Sequence, residues 1–273
     1  MTYKTILVHL NDSRHAEAVL APAVELAGRF DAHLTGLHVC ATVPSSPIPM
    51  ASSLLNSIVS TQHKNTEAIV EIFKRVTAGK SDAADWQMQK VPYVDLANVV
   101  MGRGRVADLI VAGQTDPEWD LSPFPDFPER LALESGRPVL VIPYAGRYSA
   151  IGRRIAIAWK ATRESARAVF DALPLLRKAD AVHILEVKES ADAHRADASI
   201  AVALARHGIK PEVQTSVASD ISVGDEVLSR AADFGADLLV MGAYGHLRFR
   251  EQIFGGATNH IARHMTLPTL FSH

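Results

Sequence analysis

Short apolar runs alternate along the chain with longer stretches whose apolar residues recur at helical spacing. The first run, at 5–10, leads into a stretch where Ala16, Val19, Ala23 and Leu26 share one helical face. The next runs in the first half, with helical stretches between most of them, lie at 33–39, 86–91, 106–113 and 137–143. Strands that are apolar at consecutive positions and separated by helices predict a parallel sheet covered on both faces.

The second half of the chain repeats this order. Its matching runs lie at 154–160, 179–187, 236–242 and 267–273. Ile6 and Ile155 are 149 positions apart, whereas Gly113 and Gly242 are 129 apart, so the first half is longer between its second and fourth strands. A loop rich in proline and serine and a long helix, together at 41–79, account for the difference. We therefore predict two α/β domains, at 1–145 and 151–273.

Composition narrows the classes of partner. Apolar residues make up 48% of the chain, charged residues 21%, and the net charge is -2, which provides no basic field for nucleic acid or an anionic membrane. Cys40 is the single cysteine, so no intrachain disulfide can form and a reducing compartment is expected. The N-terminal apolar run is too short for a signal peptide, and no run approaches a membrane span of roughly 20 residues. We expect a cytoplasmic protein without a nucleic-acid or membrane partner.

A glycine-rich connection follows the fourth apolar run of the second half. Gly242 and Gly245 come directly after that run, and Gly255 and Gly256 precede a helical stretch. Glycines allow positive φ and a close approach of main-chain amides to a ligand. A helix that starts near Gly255 or Gly256 would direct its unpaired amides and the positive end of its dipole at an anion. The pattern therefore predicts a phosphate site, although glycines after a strand are also ordinary turn residues.

The charges near this connection are mixed. His246, Arg248 and Arg250 would add to a field that favours phosphate, whereas Glu251 opposes it. The P-loop ending Gly-Lys-Ser/Thr is absent, and so is Gly-x-Gly-x-x-Gly after the first strand of either half.

These residues resemble the adenine-nucleotide motif of the universal stress protein family, Gly-x2-Gly-x9-Gly-Ser/Thr. Gly242, Gly245 and Gly255 match its glycines, Gly256 stands in place of the hydroxyl residue, and Thr258 follows two positions later. The chain as a whole resembles a tandem member of that family, with two copies of its domain over essentially all residues.

The family often has an aspartate at the end of its first strand, near the base and ribose. Lys160 and Asn11 occupy that position in the two halves, and Lys160 either meets a phosphate or is simply solvated. The nucleotide site that the resemblance implies lies in the second half and comprises Ala158, Trp159, Lys160, Val187, Met241, Gly242, Gly245, His246, Arg248, Gly255, Gly256, Ala257 and Thr258. The implied ligand is ATP or another adenine nucleotide, with or without Mg²⁺.

The resemblance also implies the fold and the assembly. The expected fold is adenine nucleotide α hydrolase-like, with two tandem open parallel sheets of five strands in the order 3-2-1-4-5, flanked by helices. Domains of this family commonly pair through their last strands. Applied to this chain, the runs that end each half would lie side by side and protect each other's edges. The chain would be its own pseudo-dimer, and a homodimer of chains is a further expectation.

The equivalent connection in the first half differs. Gly113 has no second glycine three residues later, and Asp116, Glu118, Asp120 and Asp126 would repel phosphate. We therefore predict a single nucleotide site per chain, in the second half.

Other chemistry-bearing residues form no catalytic set, and no metal site is predicted. His260 and His264 are four apart and are interpreted as surface histidines near a helix end, with metal ligation as the alternative. Cys40 is either a small buried residue or a redox sensor. Asp12, Ser13 and His15 are adjacent in sequence without triad geometry, and Ser13 is predicted to cap the first helix, as Thr162 would in the second half.

Three functions remain open. The first is a stress-response protein that binds an adenine nucleotide and signals through a changed surface, with at most slow hydrolysis. The second is an interaction scaffold of the same fold without nucleotide. The third is an adenylyl-transferring enzyme, against which the absence of His-x-Gly-His and Ser-Gly-Gly-x-Asp-Ser signatures argues.

Overall fold

A computed structural model describes residues 2–42, 49–79, 83–92, 96–118, 127–188, 199–243 and 256–273. The elements of the first half are β1 (Thr5–His9), α1 (Ala16–Phe30), β2 (His33–Ala41), α2 (Pro49–Thr77), β3 (Ala84–Val91), α3 (Leu96–Gly104), β4 (Leu109–Gly113), α4 (Phe127–Glu134) and β5 (Val139–Ile142). Those of the second half are β6 (Arg154–Ala158), α5 (Arg163–Asp171), α6 (Leu173–Leu176), β7 (Ala181–Lys188), α7 (Ser199–Arg206), β8 (Glu212–Val217), α8 (Val223–Asp233), β9 (Leu238–Gly242), α9 (Ala257–His264) and β10 (Thr269–Ser272).

The strands form one continuous sheet in the order β3-β2-β1-β4-β5-β10-β9-β6-β7-β8. Each half alone has the predicted order 3-2-1-4-5, and the pairs within each half are parallel. The predicted α/β fold is therefore confirmed. The two five-stranded sheets are joined edge to edge rather than separate.

The junction between the halves is the antiparallel pair β5–β10, in which Leu140 lies opposite Leu270. Each of these strands would otherwise present an unpaired apolar edge, so their pairing removes two edges at once. The expectation that the last strands of the halves lie side by side is thus confirmed within the chain. A homodimer of chains stays a prediction.

Both faces of the sheet are buried over its central strands, which explains why those strands are apolar at consecutive positions, whereas the edge strand β8 is mostly exposed. Ile6 and Val8 of β1 contribute to the core on one face, against α1 and α2, while Leu7 contributes to the core on the other face, with residues of α3 and α4. The same alternation occurs in the second half, and each core extends across the β5–β10 junction.

An aspartate before the fourth strand of each half fixes the start of its first strand. The Asp108 carboxylate accepts hydrogen bonds from the amides of Lys4 and Thr5 at 2.7 and 3.0 Å. Asp237, at the matching position, accepts from the amides of Gly152, Arg153 and Arg154. The repeated pair Ala-Asp in the sequence is the visible signal of this contact.

The two first helices start differently. Thr162 is the N-cap of α5 and accepts a hydrogen bond from the amide of Ser165 at 3.3 Å, as predicted. The prediction for Ser13 is wrong, because α1 starts after His15, which makes no side-chain cap. The carboxylate of Asp12 instead accepts the amide of Arg14 at 2.8 Å and closes the turn before the helix.

Side-chain contacts add to the strand pairing between the halves. The Tyr3 hydroxyl donates to the carbonyl of Asp171 at 2.8 Å, and Gln114 donates to the carbonyls of Ala262 and Arg263 at the end of α9, at 2.9 and 3.0 Å. None of the described helices combines the length and the apolar character that a bilayer span requires.

Candidate functional site

Each half has a point where the strand order reverses, between β1 and β4 in the first half and between β6 and β9 in the second. Ligands of open parallel sheets bind beyond the carboxyl ends of the strands at such points. The two crevices are built from matching elements. Most of the side chains that the structure describes at these two places differ.

In the second half, the strand ends that border the crevice carry several predicted site residues. Ala158, the last residue of β6, lies opposite Met241 of β9, and Gly242 ends β9. Val187 lies near the end of β7, opposite Ser216. The structure therefore brings Ala158, Met241 and Gly242 together at one edge of the sheet.

Trp159 and Lys160 continue the chain beyond β6. Trp159 is 8% exposed, and its Nε1 has no hydrogen-bond partner among the described residues. A buried N–H without an acceptor is costly, so this atom points to an acceptor that the described part of the chain does not supply. The side chain of Lys160 is exposed, which agrees with either of its two predicted roles.

Close packing explains why position 242 is a glycine, and the sequence did not reveal this explanation. An added Cβ would lie 2.5 Å from the amide nitrogen of Ser165 and 2.6 Å from the carbonyl carbon of Glu164. The end of β9 therefore packs directly on the first turn of α5. The expected positive φ is not found at Gly242, so its role here is close packing rather than an unusual backbone conformation.

The helix that follows the glycine-rich connection begins where it was predicted to begin. Gly256 is the N-cap of α9 with a φ of 109°, a conformation that favours glycine, and it has no side chain to cap the first amides. Ala257 and Thr258 form the first turn, and the first helical hydrogen bond runs from the amide of His260 to the carbonyl of Gly256. Because α9 leads into β10, which is parallel to β9, its N-terminus lies at the carboxyl edge of the sheet.

The remaining predicted site residues, Gly245, His246, Arg248 and Gly255, lie outside the described residues. His260 and His264 are close to each other on α9, with ring centroids 4.4 Å apart. The Nε2 of His260 bonds the carboxylate of Asp225 at 2.7 Å, and the Nδ1 of His264 bonds the carbonyl of His260 at 2.9 Å. These contacts agree with the interpretation as histidines near a helix end.

The first-half crevice is an open cleft, which sequence reasoning did not identify as a site. Its cavity volume is about 40 Å³, which is room for a few water molecules. Its polar wall is formed by residues that follow β1 and β4 together with the last residue of β1, including His9, Asp12, His15 and Asp116. The spacing of Asp12 and His15, three apart at a helix start, was the available signal, but Asp116 is distant in sequence.

A network of charges crosses this cleft. The Arg14 guanidinium contacts the carboxylates of Asp12 and Asp116 at 2.9 and 3.0 Å, and the Nδ1 of His15 bonds the Asp12 carboxylate at 2.8 Å. The hydrogen bond to Asp12 is the main reason why the pKa of Arg14 is raised. Of the acidic residues that the sequence analysis expected to repel phosphate, Asp116 lines the cleft, and Arg14 pairs with it and with Asp12.

His9 forms the inner wall of the cleft. It is 4% exposed and its ring centroid lies 5.0 Å from that of Phe127. Burial lowers the pKa of His9 to about 3, so the imidazole is neutral at physiological pH. Its Nε2 has no hydrogen-bond partner among the described residues.

The Universal stress protein family model matches the chain twice, at residues 2–143 and 152–273. The fold, the duplicated strand order and these two matches show that the chain belongs to the universal stress protein family and is a tandem member of it.

Solved structures of similar proteins share the fold across both halves. A universal stress protein from Archaeoglobus fulgidus DSM 4304 is 15% identical, with a TM-score of 0.68, and the match covers 98% of this chain and 95% of that chain. A putative universal stress protein from Pseudomonas aeruginosa UCBPP-PA14 is 15% identical, with a TM-score of 0.59 and coverage of 99% and 93%. No curated protein matches this chain.

Proposed function

We propose that this universal stress protein binds an adenine nucleotide in its second half and acts as a regulatory module of a cytoplasmic stress response. The observation that carries the proposal is the start of α9 at the carboxyl edge of the β6–β9 crevice, where the N-cap residue Gly256 has no side chain to cap the helix. A helix N-terminus favours a phosphate through its main-chain N–H groups and its dipole. The glycine spacing of the preceding connection agrees with the family's nucleotide motif.

Two groups beyond β6 support a ligand in this crevice. The buried Nε1 of Trp159 is a donor without a partner among the described residues, and a nucleotide would offer acceptors to it. Lys160 is exposed next to it and would contribute a positive charge. ATP is the first candidate, with or without Mg²⁺. We assign this role to the domain at 151–273 and a pairing or regulatory role to the domain at 1–145.

The interaction scaffold without nucleotide is the competing function. It is favoured by Gly256, which provides no hydroxyl group where the family motif has one, and by the structural role of Gly242. A packing role for Gly242 would persist in a protein that had lost its ligand.

A thermal-shift titration distinguishes the two functions. A ligand at 100 times its Kd stabilises the native state by about 2.7 kcal/mol, so saturating ATP should raise the melting temperature measurably. Gly245→Val, which introduces a branched side chain into the motif, should abolish the shift. Gly102→Val is the matched control, because a Cβ at Gly102 meets nothing within 4 Å.

The scaffold is supported instead if ATP leaves the melting temperature of the unaltered protein unchanged and protein purified from cells releases no adenine nucleotide on denaturation. If Gly245→Val and Gly102→Val reduced the ATP-induced shift of the melting temperature equally, a nucleotide site at the glycine motif would be contradicted. The exposed Lys160 allows a finer test. If its ammonium group contacts a phosphate, Lys160→Ala should weaken the binding of ATP more than the binding of adenosine. If Lys160 is only solvated, Lys160→Ala should weaken the binding of neither ligand.

A further inference from the structure

The first-half cleft contains donor groups that suit a cation rather than a phosphate. One ligand atom from each of Asp12, His15 and Asp116 lies within 4.8 Å of the others. Carboxylate oxygen and imidazole nitrogen are the donors that Zn²⁺ and similar divalent ions take in proteins. We propose that Asp12, His15 and Asp116 form a site for a divalent transition-metal ion such as Zn²⁺ in the first half. This site is independent of the nucleotide proposed for the second half.

The geometry requires a modest rearrangement. Two ligand atoms bound at roughly 2.1 Å to a tetrahedral Zn²⁺ lie roughly 3.4 Å apart, so atoms as much as 4.8 Å apart need to approach by up to roughly 1.4 Å. The Asp12 oxygen and the His15 nitrogen, which are 2.8 Å apart, need to separate by roughly 0.6 Å. Three protein ligands leave at least one position for water, which is typical of an accessible site.

Arg14 presently stands where the ion would bind. One of its terminal nitrogens contacts both carboxylates, at 2.9 and 3.0 Å, so the guanidinium neutralises them without metal. The Arg14 side chain is 43% exposed and can therefore turn into solvent without leaving a buried charge. A divalent ion compensates the two carboxylates more fully than one guanidinium does. Arg14 is therefore a competitor of the metal.

His9 supplies the independent indication that the cleft takes a ligand. Its imidazole lines the inner wall, is more than nine-tenths buried and leaves Nε2 without a partner in the described parts of the chain. Buried polar atoms are nearly always paired with protein or ordered water. Because His9 lines the same cleft as Asp12, His15 and Asp116, a ligand held by these three residues would lie near its ring.

The test is metal binding by the full chain in a His260→Gln background, which removes the exposed pair His260 and His264 as a second place for Zn²⁺. Equilibrium dialysis against Zn²⁺, with metal counted per chain, should give one ion. His15→Gln should weaken binding about tenfold or more, since losing even an outer-shell group commonly costs that much. His33→Gln is the matched control, because His33 makes the same kind of contact, at 2.9 Å to Asp85, away from the cleft.

Arg14→Met tests the competition and does not depend on whether His15→Gln folds. Removing the guanidinium should increase the affinity for Zn²⁺ several-fold. Arg163→Met changes the matching position of the second half and should leave the affinity for Zn²⁺ unchanged. The proposal is overturned if the His260→Gln protein binds no Zn²⁺ at about 100 µM, if His15→Gln and His33→Gln bind it equally, or if Arg14→Met weakens it.

Discussion

Replacing Gly242 with alanine tests how closely the end of β9 packs on α5. The new Cβ would lie 2.5 Å from the Ser165 nitrogen and 2.6 Å from the Glu164 carbonyl carbon. Ordinary contacts between such atoms are near 3.5 Å, so the strand end and the helix must separate by about 1 Å. Both atoms belong to the backbone, and no rotamer change can relieve the contact.

The expected change in the free energy of unfolding of Gly242→Ala follows from two opposing effects. Overpacking of this kind typically destabilises by about 1–3 kcal/mol, and the backbone contact places Gly242→Ala near the upper end. Replacing glycine by alanine also restricts the unfolded chain, which returns about 0.4–1 kcal/mol. We therefore expect a net loss of about 2 kcal/mol in the free energy of unfolding. Gly113→Ala is the control, since its Cβ meets only the Val19 side chain, at 3.2 Å, and should be near neutral.

Urea unfolding followed by circular dichroism measures both variants against the unaltered protein. The midpoint should fall clearly for Gly242→Ala and barely change for Gly113→Ala, with unchanged slopes. If Gly242→Ala proved as stable as the unaltered protein, or if both variants lost the same amount, the packing explanation of Gly242 would be refuted.

Three further predictions concern other parts of the chain. His9 has a folded pKa of about 3 against 6.5 when unfolded, so below pH 6.5 the unfolded state takes up a proton that the folded state excludes. Stability should fall by up to about 1.4 kcal/mol per pH unit as the pH drops toward 3, and His9→Phe should reduce this slope in urea titrations at pH 7, 6 and 5 in metal-free buffer. An unchanged slope would contradict the burial of a neutral His9. Thr162→Ala should cost about 1 kcal/mol of unfolding free energy through the lost cap, whereas Ser13→Ala should cost little, and equal costs would contradict the assigned helix starts. Tyr3→Phe should lower the unfolding free energy by about 1 kcal/mol, because it removes a partly buried hydrogen bond to the Asp171 carbonyl between the halves, and no loss would show that this contact is unimportant.

The fold was predictable because local patterns and the chain repeat agree with each other. Nine of the ten strands described correspond to an apolar run, and the two halves contain the matched runs in the same order, whereas β8 is mostly exposed and has no such run. The pairing of β5 with β10 followed from the resemblance to a family whose domains pair through their last strands. Sequence patterns alone do not specify which edges of two sheets meet.

Details of local geometry were less accessible. Serine is a common helix N-cap, so Ser13 was a reasonable candidate. In the structure the Asp12 carboxylate accepts the amide of Arg14, and the helix begins three residues after Ser13. Gly242 was interpreted through backbone freedom and a close approach to a ligand, whereas the structure shows that α5 packs directly on it, a contact between elements that are distant in sequence.

The first-half cleft also depends on contacts between residues that are distant in sequence, so it was not predicted. The acidic residues after β4 were visible in the sequence, but their partners were not predicted. Asp116 meets Arg14 across 102 positions of sequence, and His9 faces the cleft only because β1 ends there. Such a cluster becomes visible only when the sheet brings the ends of β1 and β4 together.

The most direct test of the central claim is the number of ATP molecules that the chain binds. Equilibrium dialysis with labelled ATP should give one per chain, and Gly245→Val should reduce this number to zero while Gly102→Val leaves it at one. Two ATP molecules per chain, or one that persists in Gly245→Val, would contradict a single site in the second half, and no bound ATP would show that this chain has lost its nucleotide.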